Sequence, residues 1–236
     1  MKAVFLSDTH LKNAADPAYV SVLGFLKSLD CLDHLFILGD FFDFWFCDTG
    51  HVYPDFQPII NELKRLASAG VRVHLFEGNH DFFLDDYFAG TGIEVFPEWA
   101  DFRLDGRLLL LSHGDLVDTE DRGYLFLRKV LRSQAFYGFL KFIPPKLRWI
   151  LAAACSNASK EIPEKRTALA RKMEEFSRAR LESGYDAVIL GHCHLPSLKE
   201  FAAGGKARVF CTLGDWLTHF SYLEYESGSF RLRFWK

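Results

Sequence analysis

The sequence predicts an α/β fold, a single domain over residues 1–236 with a helical cap inserted at 119–183. Three observations predict it. Apolar runs of strand length alternate with stretches of helical spacing between Ala3 and Asp81. Each of five such runs ends at Asp, Asn or His. From Gly123 to Lys160 the chain has no Asp or Glu, and this stretch interrupts an otherwise regular alternation.

The elements follow in chain order. Ala3–Leu6 is a short apolar run that reads as a buried strand delivering Asp8 at its C-terminal end. Residues 17–29 have helical spacing through Tyr19, Val20, Leu23, Phe25 and Leu26. His34–Leu38 is the next strand and ends at Gly39-Asp40. Residues 56–69 place Ile59, Ile60, Leu63 and Leu66 on one helical face. Val71–Phe76 is a third strand, ending at Gly78-Asn79-His80-Asp81. Phe102–Leu104 and Arg107–Leu111 form a hairpin around Asp105-Gly106 and lead to Ser112-His113-Gly114-Asp115. Residues 119–183 are mostly helical, broken near Gly138 and at Pro144-Pro145. Asp186–Leu190 is a buried strand ending at Gly191-His192-Cys193-His194. The tail from Ala207 to Phe234 reads as strands, with Glu226-Ser227-Gly228 as a turn.

Composition narrows the class. At 49% hydrophobic and 25% charged the chain is an ordinary globular protein, and its net charge of −3 disfavours a nucleic-acid or other polyanion partner. Five cysteines without a CxxC pair suit a reducing compartment, here the cytoplasm. No run reaches the roughly 20 apolar residues of a spanning helix. The 24 Phe are many for one core and point to an exposed apolar surface. Nothing in the sequence specifies an oligomeric state.

The strand ends carry the chemistry. Ligands collect beyond the carboxyl ends of strands in open α/β sheets. Asp8, His10, Asp40, Asn79, His80, His113, His192 and His194 would there form a mixed oxygen and nitrogen site, suited to Mn, Fe or Zn better than to Ca. In Asp8-Thr9-His10 and His192-Cys193-His194, an extended backbone would put the two outer side chains on one side. Taken singly, Asp-x-His is more often a surface loop, and Gly-Asp after a strand is mostly turn chemistry. It is the five motifs in series that carry the metal reading. His34, His51, His74 and His219 lack this context and read as structural or exposed.

In that series, Asp8-Thr9-His10, Gly39-Asp40-Phe41-Phe42-Asp43, Gly78-Asn79-His80-Asp81, Ser112-His113-Gly114 and Gly191-His192-Cys193-His194 resemble the signature of calcineurin-like metallophosphoesterases. The resemblance implies a four-layer α/β/β/α sandwich and two divalent metal ions. It implies Asp8, His10, Asp40 and His194 around the first ion, with Asp40 bridging, and Asn79, His113 and His192 around the second. His80 would stand outside the metal shell beside the scissile phosphate as a catalytic group, paired with an acidic neighbour, Asp43 or Asp81. Two such ions activate a water and clamp the phosphoryl oxygens of an in-line displacement.

The whole chain is also similar to the UDP-2,3-diacylglucosamine hydrolases of lipid A biosynthesis. Asp118-Thr119-Glu120-Asp121 with Tyr124, Asn157-Ala158-Ser159-Lys160-Glu161, Ala170-Arg171-Lys172-Met173 and Leu213-Gly214-Asp215-Trp216 carry that similarity. It implies Mn, a nucleotide-linked or lipid-linked phosphoester substrate, and substrate contacts from Asn79, His80, Asp121, Lys160 and Arg166. One position departs. Those hydrolases typically have Gly-Asn-Arg-Asp, and here His80 replaces the Arg, a bidentate and permanently charged phosphate ligand.

The acid-free stretch interleaves Arg128, Lys129, Arg132, Lys141, Lys146, Arg148 and Lys160 with Tyr124, Phe126, Phe136, Tyr137, Phe139, Phe142 and Trp149. That pattern suits an acyl chain below an anionic head group, and peripheral contact with the cytoplasmic face of the inner membrane. The plain alternative is an amphipathic helical pair packed on the core. Other readings of the whole chain are a relative acting on a different lipid- or nucleotide-linked phosphoester, a nuclease, and a scaffold that has lost catalysis. A nuclease calls for a broader basic surface, and a scaffold calls for missing ligands, whereas every ligand position here is filled.

Overall fold

Short β-branched, leucine and phenylalanine runs form the strands of two sheets, in a computed structural model that describes residues 1–45, 47, 51–144, 147–148, 163–203 and 205–236. In the first sheet β1 (Lys2–Leu6), β2 (His34–Leu38), β3 (Arg72–Phe76) and β4 (Ile93–Phe96) run parallel. The second contains β5 (Ala100–Leu104), β6 (Arg107–Ser112), β7 (Ala187–Leu190), β8 (Ser197–Ala203) and β9 (Lys206–Thr212), in the order β5-β6-β7-β9-β8, with β6, β7 and β9 parallel. The tail strands β10 (Ser221–Glu226) and β11 (Ser229–Phe234) return to the first sheet, whose order is β11-β10-β1-β2-β3-β4.

Alternation along the strands builds the layers. On β2, Leu35 and Ile37 face a cluster shared with α1 (Pro17–Ser28) and α2 (Gln57–Ser68), while Phe36 and Leu38 face the other sheet. The inter-sheet cluster joins Phe5, Phe36 and Phe76 to Leu109, Leu111, Ile189 and Cys211. α1 begins at Pro17, and the Asp16 carboxylate caps it by accepting from Ala18 N at 2.9 Å.

Among the described residues three longer helices follow the short α3 (Asp85–Phe88): α4 (Arg122–Leu131), α5 (Gln134–Phe142) and α6 (Pro163–Glu182). The described residues of 119–183 therefore divide into two groups. α6 buries Met173 and Leu181 against Leu110, Val188, Leu190 and Phe210, closing the outer face of the second sheet as a fourth layer. α4 buries no residue, and Phe126, Phe139 and Phe142 stand out from α4 and α5, Phe142 at 88% exposure.

Two strands, β4 and β8, do not stand out in the sequence. Both are sheet edges. β4 has only four residues and β8 carries Lys199 and Glu200, the short and charged character that edge strands need to resist pairing with other chains. His34, at the start of β2, and His74, in the middle of β3, are buried side by side, with Nδ1 of His34 3.0 Å from Nε2 of His74. Burial lowers both to about 4, so they are neutral core residues at physiological pH. Cys31, Cys193 and Cys211 are free thiols, Cys47 Sγ accepts from Tyr53 N at 3.5 Å, and Cys155 lies outside the described residues. Among the described residues no helix is long and apolar enough to cross a membrane.

Candidate metal centre

The parallel strands β1, β2, β3, β6 and β7 all end on one side of the two sheets, and the candidate ligands sit in the loops that follow them. Backbone hydrogen bonds fasten these loops to one another. Asp8 N donates to the Gly39 carbonyl at 3.1 Å, His10 N to Asp40 at 3.0 Å and Gly191 N to His113 at 2.8 Å. The loops are also tightly turned. Asp8, His10, Asp40, His192 and His194 all have positive φ, between 44° and 66°. Such backbone costs a non-glycine residue of order 1–3 kcal/mol and concentrates at functional sites. The outer residues of Asp8-Thr9-His10 and His192-Cys193-His194 thus converge through left-handed turns, not through the extended backbone expected from the spacing. Thr9 and Cys193 do point away: Thr9 Oγ1 donates to the Phe41 carbonyl, and Cys193 packs in the cluster under α6.

Glycine is required where the loops approach most closely. A Cβ on Gly39 would lie 2.6 Å from Nδ1 of His113, and one on Gly78 would overlap the Asp40 carboxylate.

Seven predicted ligands come together. Ligand atoms of Asp8, His10 and His194 lie within 4.8 Å of one another, as do those of Asp40, His113 and His192. Nε2 of His10 and of His113 stand 3.7 and 3.5 Å from Asp40 Oδ2, which places Asp40 between the two groups. Asn79 Oδ1 is 3.0 Å from His113 Nε2. His80 also falls within 4.8 Å of His10 and Asp40, and its backbone N–H donates to Asp40 Oδ1 at 2.8 Å.

These residues fit a pair of cations. Asp8 Oδ1 and His10 Nε2 are buried without a hydrogen-bond partner, a costly state unless something else occupies them. Three of the histidines turn one ring nitrogen to a support and the other to the site. His113 Nδ1 donates to the Leu38 carbonyl at 2.9 Å, which turns the lone pair of Nε2 towards Asp40 and Asn79. His10 Nδ1 stands 3.6 Å from the Asp43 carboxylate, and His194 Nδ1 stands 3.4 Å from Asp215. A carbonyl or carboxylate behind the ring is the outer support that orients metal-binding imidazoles. The field has the right sign. Burial opposes protonation of His113, yet Asp40, Asp8 and Asp115 outweigh it and raise the imidazole to about 9. Burial likewise opposes ionisation of Asp40, but His113, His80 and His10 hold its carboxyl well below the usual range.

A family profile for calcineurin-like phosphoesterases matches residues 1–196, the span that carries all of these ligands. The chain belongs to the calcineurin-like phosphoesterase family. It is accordingly a metal-dependent hydrolase, and the family uses a dinuclear divalent metal site. The UDP-2,3-diacylglucosamine hydrolase of Stenotrophomonas maltophilia (strain K279a) is 32% identical over 98% of this chain and 98% of its own. That of Cellvibrio japonicus (strain Ueda107) is 32% identical over 100% of this chain and 99% of its own. A solved archaeal phosphodiesterase superposes with a TM-score of 0.50 at 13% identity over 99% of both chains, a likeness of fold alone.

Above the calcineurin-like ligand set lies a cavity of about 580 Å³. Lys12, Lys165, Arg166 and Lys172 line it together with Asp118, Asp121 and Tyr124. Of the predicted substrate contacts, Asn79, His80, Asp121 and Arg166 line this cavity, and Lys160 lies outside the described residues. His80 is held through Nδ1, which donates to the backbone carbonyl of Asp43 at 3.0 Å. Asp43 thus reaches His80 through its main chain, while its carboxylate faces His10 and, at 4.0 Å, Lys12. Asp81 accepts from the backbone N–H groups of Asp40, Phe41, Phe42 and Gly78, which makes it a brace for the two loops.

Two residues behind the site stand in the quoted motifs, but the sequence assigns them no role. Asp215, just beyond β9, accepts from the backbone N–H groups of Leu217, Thr218 and His219 and backs His194. Asp115 accepts from Tyr124 Oη at 2.6 Å and Arg128 Nε at 2.7 Å. The available signal was positional: Asp215 follows a strand-like run in the same manner as the ligands do.

Proposed function

We propose that this protein hydrolyses the pyrophosphate bond of UDP-2,3-diacylglucosamine, releasing UMP and 2,3-diacylglucosamine 1-phosphate, with two Mn ions. The observation that carries this reading is that the similarity to the named hydrolases spans 98–100% of the chain, cap region included, and is not confined to the metal motifs. Asp8, His10, Asp40 and His194 hold one ion and Asp40, Asn79, His113 and His192 the other. When bound, the ions activate a water for in-line attack and neutralise phosphoryl charge. His80, with Nδ1 committed to the Asp43 carbonyl, presents Nε2 to the cavity, where it donates to a phosphoryl oxygen or to the leaving oxygen. Asp121 and Arg166 contact the substrate, and Lys12 and Lys165 add cationic side chains to the cavity wall at a site where position 80 has no Arg.

The cap of this reading includes α4 and α5. Its exposed Phe126, Phe139 and Phe142 suit acyl chains and the cytoplasmic face of the inner membrane. The test is kcat/KM across UDP-sugars of increasing acyl length. Each buried methylene contributes roughly 0.8 kcal/mol, about fourfold in affinity, until the apolar surface is filled. The expected result is a steep rise with chain length that disappears when Phe136 and Phe139 are changed to Asp. A flat series would remove the lipid substrate and leave the metal site standing.

A further inference from the structure

Tyr124 and Arg128 on α4 and Arg132 at its C-cap are spaced by four and form one stripe along this side of the helix. All three point down onto the loops of the metal centre. Tyr124 and Arg128 meet at Asp115, two residues after His113, and Arg128 NH1 also stands 3.5 Å from Glu98. Arg132 makes three contacts. NH1 donates to the buried Glu77 carboxylate at 2.7 Å and to the Pro97 carbonyl at 3.0 Å, and NH2 donates to the Gly78 carbonyl at 2.7 Å. That carbonyl belongs to the peptide that joins Gly78 to Asn79. The other side of Gly78 is also fixed, because its N–H donates to Asp81 Oδ1 at 2.9 Å and its Cα abuts Asp40. The guanidinium stands 5.6 Å over the Phe82 ring, which leaves it little freedom to shift.

We infer that Arg132 is a positioning residue for the hydrolytic reaction: by clamping the Gly78 carbonyl and Glu77 it orients the Asn79–His80 segment, and so ties α4 to one half of the metal centre. The inference rests on the dinuclear assignment above. Arg132 touches neither substrate nor ion and acts through the 78–79 peptide. Because the outward side of α4 carries Phe126, Leu127 and Val130, the helix links the exposed apolar surface to the geometry beneath it.

The experiment compares Arg132→Ala, Arg132→Lys and Arg122→Ala, the last a charge removal at the exposed start of the same helix. Two quantities are read well below each melting temperature: bound Mn per chain at limiting metal, and kcat with KM for a small chromogenic phosphodiester that carries no acyl chain. Arg132→Ala is expected to fall from two ions towards one and to lose about 10–100-fold in kcat with little change in KM, the scale of lost outer-ligand support. Arg132→Lys, which can reach Glu77 but cannot also fork onto the Gly78 and Pro97 carbonyls, recovers part of both. Arg122→Ala matches the wild type. Two ions and wild-type kcat in Arg132→Ala overturn the inference. Should that variant fail to fold, the same result in Arg132→Lys overturns it. A wild-type protein that binds fewer than two ions fails at the dinuclear assignment itself and takes this inference down with it.

Discussion

Replacing Asp40 with asparagine is expected to lower kcat by about 10³-fold or more, the equivalent of several kcal/mol of lost metal-ion catalysis at about 1.36 kcal/mol per decade. Asp40 is the residue whose carboxylate faces both ligand groups, 3.7 Å from His10 and 3.5 Å from His113. Asparagine preserves the acceptor for the His80 N–H while removing the charge proposed to hold two cations together. Alanine removes both and should cost at least as much. Metal analysis alongside turnover checks the result. Two tightly held ions with wild-type kcat in either variant would contradict the bridging role.

His80→Ala has a different signature. It should keep both ions and lose about 10²–10⁴ in kcat, the usual worth of an acid–base or charge-stabilising group. His80 lines the cavity, and its Nδ1 is spent on the Asp43 carbonyl, which leaves Nε2 for the proposed role. His80→Gln can still donate a hydrogen bond but cannot transfer a proton, so it separates phosphate contact from acid–base work. A His80→Ala protein that binds one ion in place of two would make His80 a ligand, a role its distance to His10 and Asp40 makes worth testing directly.

How much of this was legible in the sequence follows from range. Asp8, Asp40 and His113 each follow a buried apolar run, and a strand that ends on such a residue announces both the element and the site. The strands without this punctuation, β4 and β8, are edges whose charge and shortness mask them. The left-handed backbone at Asp8, His10, Asp40, His192 and His194 was not legible, because non-glycine residues adopt it only when surrounding contacts impose it. The supports of the site were hidden for the same reason. Arg132 meets Glu77 across 55 positions, and Arg128 reads from sequence as one more cation on an amphipathic helix. Composition marked 119–183 as helical, but an apolar face does not reveal its neighbour: Met173 of α6 packs on the second sheet, whereas Phe126 of α4 faces outward.

The central claim is that a dinuclear site under α4 and α6 cleaves a lipid-bearing nucleotide sugar. The most direct measurement is product analysis by mass spectrometry after the purified protein is incubated with UDP-2,3-diacylglucosamine, with and without Mn. The account predicts UMP and 2,3-diacylglucosamine 1-phosphate in equal amounts, dependent on Mn and absent with the Asp40→Asn variant. Intact substrate, under conditions where the same preparation hydrolyses a small phosphodiester, would contradict it.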